Sequence, residues 1–347
     1  MKLSQAAIIT ERAINFAMDL KDGRDAQYIV PYLVGGAGLG KTTMVKDATK
    51  RVADNRKVEM ECRILSLAQY DPTEIAGWLI PNKDRDAMNR VKPDWLPDPD
   101  TCGVLFLDEL PQAVVANQNI AAQITNERRV GPWSLPDGWV VVAAGNRASD
   151  RAGTNNMPSH LKDRLMFLEV EADLEDTISY FNSNHVDERV CAYLRFRPEW
   201  LHKFDKDANA CPSPRSWERV SSIMSWGLPD VEQLEAIAGQ VGRACSAEFA
   251  GFLKVYDVVP DIPSLIANPM SAEIPERPDV MYAVCASLAA YATDKNLGNI
   301  IKYLQRLPQA EFAAFVMKDA ANRVPNIKQN KDFRDWVING GGKELLI

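Results

Sequence analysis

Residues Gly35-Gly36-Ala37-Gly38-Leu39-Gly40-Lys41-Thr42 stand between an apolar run, Tyr28 to Val34, and a helix-compatible stretch from Thr42 to Lys50. Strand, glycine loop and helix in that order are the sequence form of a phosphate-binding P-loop. The glycines let successive backbone N–H groups turn inward around an anion, and the N-terminus of the following helix adds the positive end of its dipole. Lys41 supplies a point charge for the β- and γ-phosphates, and Thr42 a hydroxyl for Mg²⁺. Residues 35 to 43, ending at Thr43, are therefore the expected contact set for a nucleoside triphosphate.

The rest of the N-terminal half alternates strand and helix patterns. Ser4 to Leu20 places apolar residues at helical spacing around Glu11 and Arg12, which predicts an amphipathic helix and no signal peptide. Val58 to Leu67 reads as a second strand. Asp71-Pro72-Thr73-Glu74 then offers an N-cap acid, a first-turn proline and a glutamate three residues on, a helix start cut short by Gly77. A Pro- and charge-rich insertion, 78–97, holds a candidate hairpin pairing Trp78–Ile80 with Met88–Val91. Gly103-Val104-Leu105-Phe106-Leu107 suits a central strand buried on both faces, and a helix from Gln112 to Asn126 is expected after it. A second hairpin, within 127–138, precedes the strands Trp139–Ala144 and Met166–Val170. Five strands alternating with helices predict a doubly wound parallel α/β domain over residues 1–171.

Beyond that the pattern is helical. Pro214–Trp226 and Val231–Tyr256 belong to an all-helical lid over 172–258. A Pro-rich joint, 259–277, separates it from a C-terminal helical segment, 278–347, ending in the flexible glycines 340–342.

Two further positions choose among P-loop chemistries. Strand ends of a parallel sheet converge on the ligand crevice, so Asp108 can reach a Mg²⁺ shell and Glu109 can orient and deprotonate an attacking water. Asn146, closing the next strand, is placed to hydrogen-bond the γ-phosphate or that water; a Gly-Asn turn is the plain alternative. Ser213-Pro214-Arg215 opens a helix with Arg215 where the dipole disfavours a cation, which invites an anion or marks an ordinary exposed helix start.

Taken in order, GGAGLGKT, VLFLDEL and VVAAGN resemble the Walker A, Walker B and sensor 1 elements of AAA+ ATPases. The two hairpin insertions, with Pro158-Ser159-His160-Leu161-Lys162-Asp163-Arg164-Leu165, resemble the MoxR family, whose motif there reads roughly L-P-x-A-x-x-D-R-F. Leu165 replaces the usual Phe and His160 a small residue. The likeness covers about residues 5 to 255, and the compact, divergent form is similar to MoxR-like ATPases of bacteriophage genomes. The resemblance implies ATP and Mg²⁺ as cofactors and a hexameric ring. It implies that Arg164 is an arginine finger reaching the neighbouring protomer's ATP, and Arg215 a sensor 2 arginine on the γ-phosphate. Without it, Asp163-Arg164 reads equally as a surface ion pair.

A chain of 347 residues, 46% hydrophobic and 25% charged, is globular in composition. Its charge of −7 argues against a protein that coats nucleic acid, yet leaves room for a locally basic channel. Lys83, Arg85, Arg90 and Lys92 in the first insertion, and Arg128 and Arg129 at the second, are either solvated hairpin faces or a substrate grip, since in the resembled family these insertions border the central pore. Trp78, Trp95 and Trp133 fit core or hairpin packing better than a stacking platform. The favoured partner is a protein, by resemblance a von Willebrand factor A domain companion. A nucleic-acid motor and an ATP-gated scaffold are the rival classes. Six cysteines without a C-x-x-C and three histidines without ligand spacing predict reduced thiols, no structural zinc and a cytoplasmic setting, which the resemblance makes that of a bacterium or a phage-infected host. No apolar run has the length of a membrane span.

Overall fold

A computed structural model describes residues 1–20, 28–147, 155–324 and 326–339. The glycines at 340–342 lie outside them. The chain divides into two units, Met1–Glu171 and Ala172–Ile347.

In the first unit α1 (Leu3–Asp19) precedes β1 (Val30–Val34) and α2 (Lys41–Arg56). Then come β2 (Glu61–Ser66), the short α3 (Pro72–Ala76) and a ribbon of β3 (Leu79–Pro81) and β4 (Met88–Arg90). β5 (Gly103–Asp108), α4 (Val115–Glu127), a small hairpin of β6 (Arg129–Val130) and β7 (Trp133–Ser134), β8 (Trp139–Gly145), α5 (Ser159–Lys162) and β9 (Leu165–Glu169) complete it. Five strands form one parallel sheet in the order β2-β5-β8-β1-β9. After β1 the chain leaves for the far edge, returns through β5 and β8, and crosses to β9 on the other side of β1. The crevice therefore opens at the C-terminal ends of the central strands. This is a P-loop NTPase fold of the AAA+ type, as the motifs led one to expect. Apolar residues of consecutive strands, among them Leu65, Leu105, Leu107, Val141 and Ala143, make its core.

Local chemistry accounts for the element ends. Asp71 caps α3 by accepting from Thr73 N–H, and the Glu74 carboxylate accepts from Asp71 N–H, the reciprocal pair anticipated from the sequence. The ribbon pairs Leu79 with Arg90 and Pro81 with Met88, closed by Asn82 N–H on the Ala87 carbonyl. Two helix boundaries differ from expectation. α2 continues past Lys50 to Arg56, where left-handed Lys57 ends it. The helix expected from Gln112 starts only at Val115, because Glu109 takes a left-handed backbone (φ 55°) and turns Leu110–Gln112 into a 3₁₀ turn.

The second unit is helical: α6 (Leu174–Ser183), α7 (Glu188–Phe196), α8 (Pro214–Met224), α9 (Asp230–Val241), α10 (Arg243–Leu253), α11 (Ile262–Ala267), α12 (Pro278–Tyr291), α13 (Leu297–Leu304), α14 (Ala310–Arg323) and α15 (Lys331–Asn339). The helical stretch from Val231 to Tyr256 is divided at Gly242, whose φ of 83° and ψ of 155° fit neither neighbour. The Pro-rich segment 259–277 carries α11, whose Ile262, Leu265 and Ile266 are buried in a core that also holds Phe249 and Val284. That core runs without interruption from Ile178 to Trp336. Inside it, Arg195 bridges Asp319 at 2.7 Å and Glu175 at 2.5 Å and lies over the Phe315 ring, tying α7 to α14 and α6.

Candidate nucleotide site

The loop between β1 and α2 turns through two left-handed glycines, Gly38 at φ 77° and Gly40. Gly40 sits at φ 85°, a conformation that strains any residue with a Cβ, and Gly40 C=O accepts the first turn of α2 from Met44 N–H. Gly35 N–H donates to Gly145 C=O, which fastens the loop to the end of β8. Gly36, Ala37, Gly38 and Leu39 complete the turn, and Thr43 is exposed in the first turn of α2.

Lys41 is buried, and its Nζ donates to the carbonyls of Gly35 at 2.8 Å and Gly36 at 2.9 Å and to Asn146 Oδ1 at 3.3 Å. One ammonium thus gathers the first two loop carbonyls and the residue that follows β8. Thr42 Oγ1 donates to Asp108 Oδ2 at 2.9 Å, and Glu109 N–H donates to Asp108 Oδ1 at 2.9 Å. Both carboxylate oxygens of Asp108 are oriented, one by the helix after the loop and one by the turn that presents Glu109. A hydroxyl beside a carboxylate is the hard-oxygen donor pair that Mg²⁺ takes when phosphates and water fill its remaining positions. Among the described residues no cluster of three His, Cys, Asp or Glu forms a metal cage.

Glu109 is the one site residue in strained backbone. A non-glycine at φ 55° costs free energy that its surroundings must supply. Here Gln112 and Ala113 N–H both donate to the Glu109 carbonyl, closing the 3₁₀ turn. Pro111 in that turn presses on Gly145: a Cβ there would stand 2.2 Å from Pro111 Cδ and 2.8 Å from the Tyr32 hydroxyl.

Arg164 is elsewhere. β9 pairs with β1 in parallel, Val30 beside Leu165 and Val34 beside Glu169, so Arg164 stands at the strand end opposite the loop. A five-residue strand at about 3.3 Å per residue puts it roughly 15 Å away. Its Nη1 donates to the His160 carbonyl. Arg215 is exposed in the first turn of α8, in the second unit, where Ser213 caps the helix by accepting from Ser216 N–H.

The insertions look different from a basic grip. Arg90 donates to the Ala76 carbonyl, Lys92 pairs with Asp98, and Arg129 pairs with Glu127. Arg128 is stacked on the Tyr28 ring, 3.7 Å from its centroid, and donates to Pro136 C=O, and burial pushes its pKa down. Lys83 and Arg85 are exposed at the ribbon tip, interleaved with Asp84 and Asp86. By contrast Trp78, Leu79, Ile80, Met88 and Val91 are between 47% and 59% exposed. Trp95 is buried with its indole N–H on Ile75 C=O, and Trp133 is half-buried against Gly77.

Sequence reasoning missed four residues that shape this site. Arg147, next to Asn146, donates to Val170 C=O and pairs with Glu171. Asn155 donates from its backbone to Pro111 C=O and from its side chain to Ala113 C=O. Asn117 and Gln118, buried on α4, donate to loops on either side. Only polar residues at core positions of an otherwise apolar helical pattern could have signalled the last two.

No family model and no curated protein matches this chain. Solved structures similar to it include a mutant of RuvB from Thermotoga maritima, at 14% identity over 81% of this chain and 82% of that one, TM-score 0.40. Another is NtrX from Brucella abortus in complex with ADP, at 13% identity over 99% of this chain and 68% of that one, TM-score 0.40. The strand order β2-β5-β8-β1-β9 and the glycine loop between β1 and α2 define the fold independently of these likenesses.

Proposed function

We propose that this chain is an ATPase that assembles as a homo-oligomeric ring, hexameric by its resemblance to the MoxR family, and uses hydrolysis to remodel a protein partner. The observation that carries the reading is the contact between Thr42 and Asp108, with Glu109 following and Asn146 held on Lys41.

Lys41 exchanges loop carbonyls for the β- and γ-phosphates, a gain because a charge-assisted bond to phosphate is stronger than one to a neutral carbonyl. Thr42 and Asp108 would hold Mg²⁺, which would neutralise charge on the phosphate oxygens. Glu109 accepts a proton from the attacking water, and Asn146 orients that water or the γ-phosphate. By the resemblance, Arg164, a strand's length from its own loop, serves a neighbouring protomer as its arginine finger, and Arg215 is the sensor 2 arginine.

The partner reading rests on the ribbon. Its basic side chains are engaged within the protein or matched by adjacent acids, while five large apolar side chains stay exposed. A backbone-tracking nucleic-acid site needs free cations along a groove. An exposed apolar ribbon suits a protein surface, and a von Willebrand factor A domain companion is the partner type the resemblance favours. Phosphate release by the purified chain, with and without Mg²⁺, tests the enzyme reading; no turnover would leave the ATP-gated scaffold. Several-fold stimulation by DNA or RNA with a steep salt dependence would promote the nucleic-acid motor instead.

A further inference from the structure

Helix α4 carries two adjacent carboxamides at core positions, Asn117 at 1% exposure and Gln118 at 0%. Their neighbours on the buried side are Ala121, Ala122 and Ile124. A buried amide costs free energy unless it finds partners, and here the partners are the turn by which the chain leaves β5 and the loop by which it leaves β2.

Gln118 Nε2 donates to Ala113 C=O at 3.0 Å and approaches Pro111 C=O at 3.5 Å. It therefore grips the turn whose N–H groups close on Glu109. Asn117 Nδ2 donates to Leu67 C=O at 2.9 Å and Tyr70 C=O at 2.8 Å, gripping the loop that leaves β2. That loop leads directly into α3, and α3 holds the ribbon and the segment after it: Arg90 of the ribbon donates to Ala76 C=O, and Trp95 beyond it to Ile75 C=O. One turn of a rigid helix thus links the Glu109 turn at one end to the ribbon's mounting at the other.

The acceptor halves of the two amides argue against a mere packing role. Asn117 Oδ1 and Gln118 Oε1 are buried and meet no donor among the described residues. A buried polar atom left unpaired costs about 1–3 kcal/mol, so an apolar side chain of similar volume would suit packing better. What the amides add is their donors.

We propose that Asn117 and Gln118 are positioning residues that couple the Glu109 turn to the β3–β4 ribbon, so that the nucleotide state at the P-loop is read out where the partner is met. The inference rests on the nucleotide-binding reading above. Packed and hydrogen-bonded elements of this kind are what carries coupling between sites, and each bond in this set is named.

Hydrogen exchange of the full chain, with and without Mg²⁺ and the non-hydrolysable analogue AMP-PNP, tests it through two segments of the same molecule. Residues 35–46 report nucleotide binding, and residues 78–91 report the ribbon. In the unmodified protein both segments are expected to change exchange rate. Asn117→Leu and Gln118→Met should each keep the first response and lose the second. Thr125→Val on the same helix removes a buried hydroxyl that donates to Ala122 C=O, within the helix itself, and should keep both. A ribbon response that persists in Asn117→Leu and Gln118→Met, or is lost equally in Thr125→Val, overturns the coupling. So does loss of both responses in the two amide variants, since the pair would then merely hold the fold. An unmodified protein that protects 35–46 but not the ribbon overturns the coupling alone; one that does not protect 35–46 overturns the nucleotide reading and the coupling with it.

Discussion

The hydroxyl of Thr42 and the carboxylate of Asp108 stand 2.9 Å apart although 66 positions separate them in the chain. The sheet brings them together, because β1 and β5 are parallel members of one layer and both run out at the same edge. A serine or threonine following a P-loop lysine is a common sequence event. A strand-end acid on its hydroxyl is a tertiary one, and it is what turns a glycine loop into a candidate phosphate and metal site.

Lys41→Ala should lose nucleotide affinity by roughly 10- to 100-fold, since a hydrogen bond to a charged group contributes about 1.5–3 kcal/mol. Titration calorimetry with ATP checks it, and unchanged affinity removes Lys41 from the site. Glu109→Gln should bind ATP as the parent does and turn over about 10²- to 10⁴-fold more slowly, the usual worth of a general base.

Arg164→Ala should bind ATP and hydrolyse it roughly 10³- to 10⁵-fold more slowly, the range for losing an arginine finger. Mixing it with Lys41→Ala protomers should recover part of the turnover, because those protomers supply an intact Arg164 to sites that keep Lys41. Absence of recovery in verified mixed assemblies would contradict action across protomers.

Gly145→Ala inserts a methyl 2.2 Å from Pro111 Cδ. Overpacking of this kind costs about 1–3 kcal/mol. Here the displaced groups also orient Glu109 and Asn146, so both the thermal midpoint and the turnover should fall. A variant as stable and active as the parent would mean that Pro111 yields freely.

Arg195→Met should destabilise by about 3–5 kcal/mol, because it strands the buried Asp319 carboxylate without its partner. Chemical denaturation reads the loss. Arg195→Met with Asp319→Leu should regain much of it, and a double variant no better than the single one would show that the charge itself was not the burden.

The cysteines separate by burial. Burial pushes the Cys191 and Cys245 thiols up to about 12, and raises Cys285 as well. A raised pKa means that thiolate is scarce at pH 8, so these three should resist Ellman's reagent until the protein unfolds. Cys102 and Cys211, half-buried, should react in the native state, with Cys62 slower because burial raises it too. Six equally fast thiols would mean that the second unit opens readily.

The P-loop, the strand ends at Asp108 and Asn146, the α3 cap at Asp71 and both hairpins were legible because each is a local event. Glycine spacing, an N-cap acid or a run of five apolar residues acts over one turn or one strand. Chain-local pattern misplaced the start of α4, since nothing near Gln112 announces that Glu109 will adopt a left-handed backbone; the carbonyl it presents to Gln112 and Ala113, and Pro111 wedged on Gly145, decide that. It also left Arg128 open between a solvated hairpin face and a substrate grip, and Tyr28, a hundred residues earlier, supplies the ring on which it rests.

The sequence by itself determined which residues can do chemistry here: a lysine and a threonine after a glycine loop, an acid pair after an apolar strand, an asparagine after another. Only the tertiary structure decided which of them meet. Strand order set Thr42 on Asp108 and Lys41 on Asn146, parallel register sent Arg164 to the opposite end of the sheet, and two buried amides on α4 joined loops that are remote in sequence. Hydrogen bonds between distant segments depend on layer and register, and no window of neighbouring residues contains either.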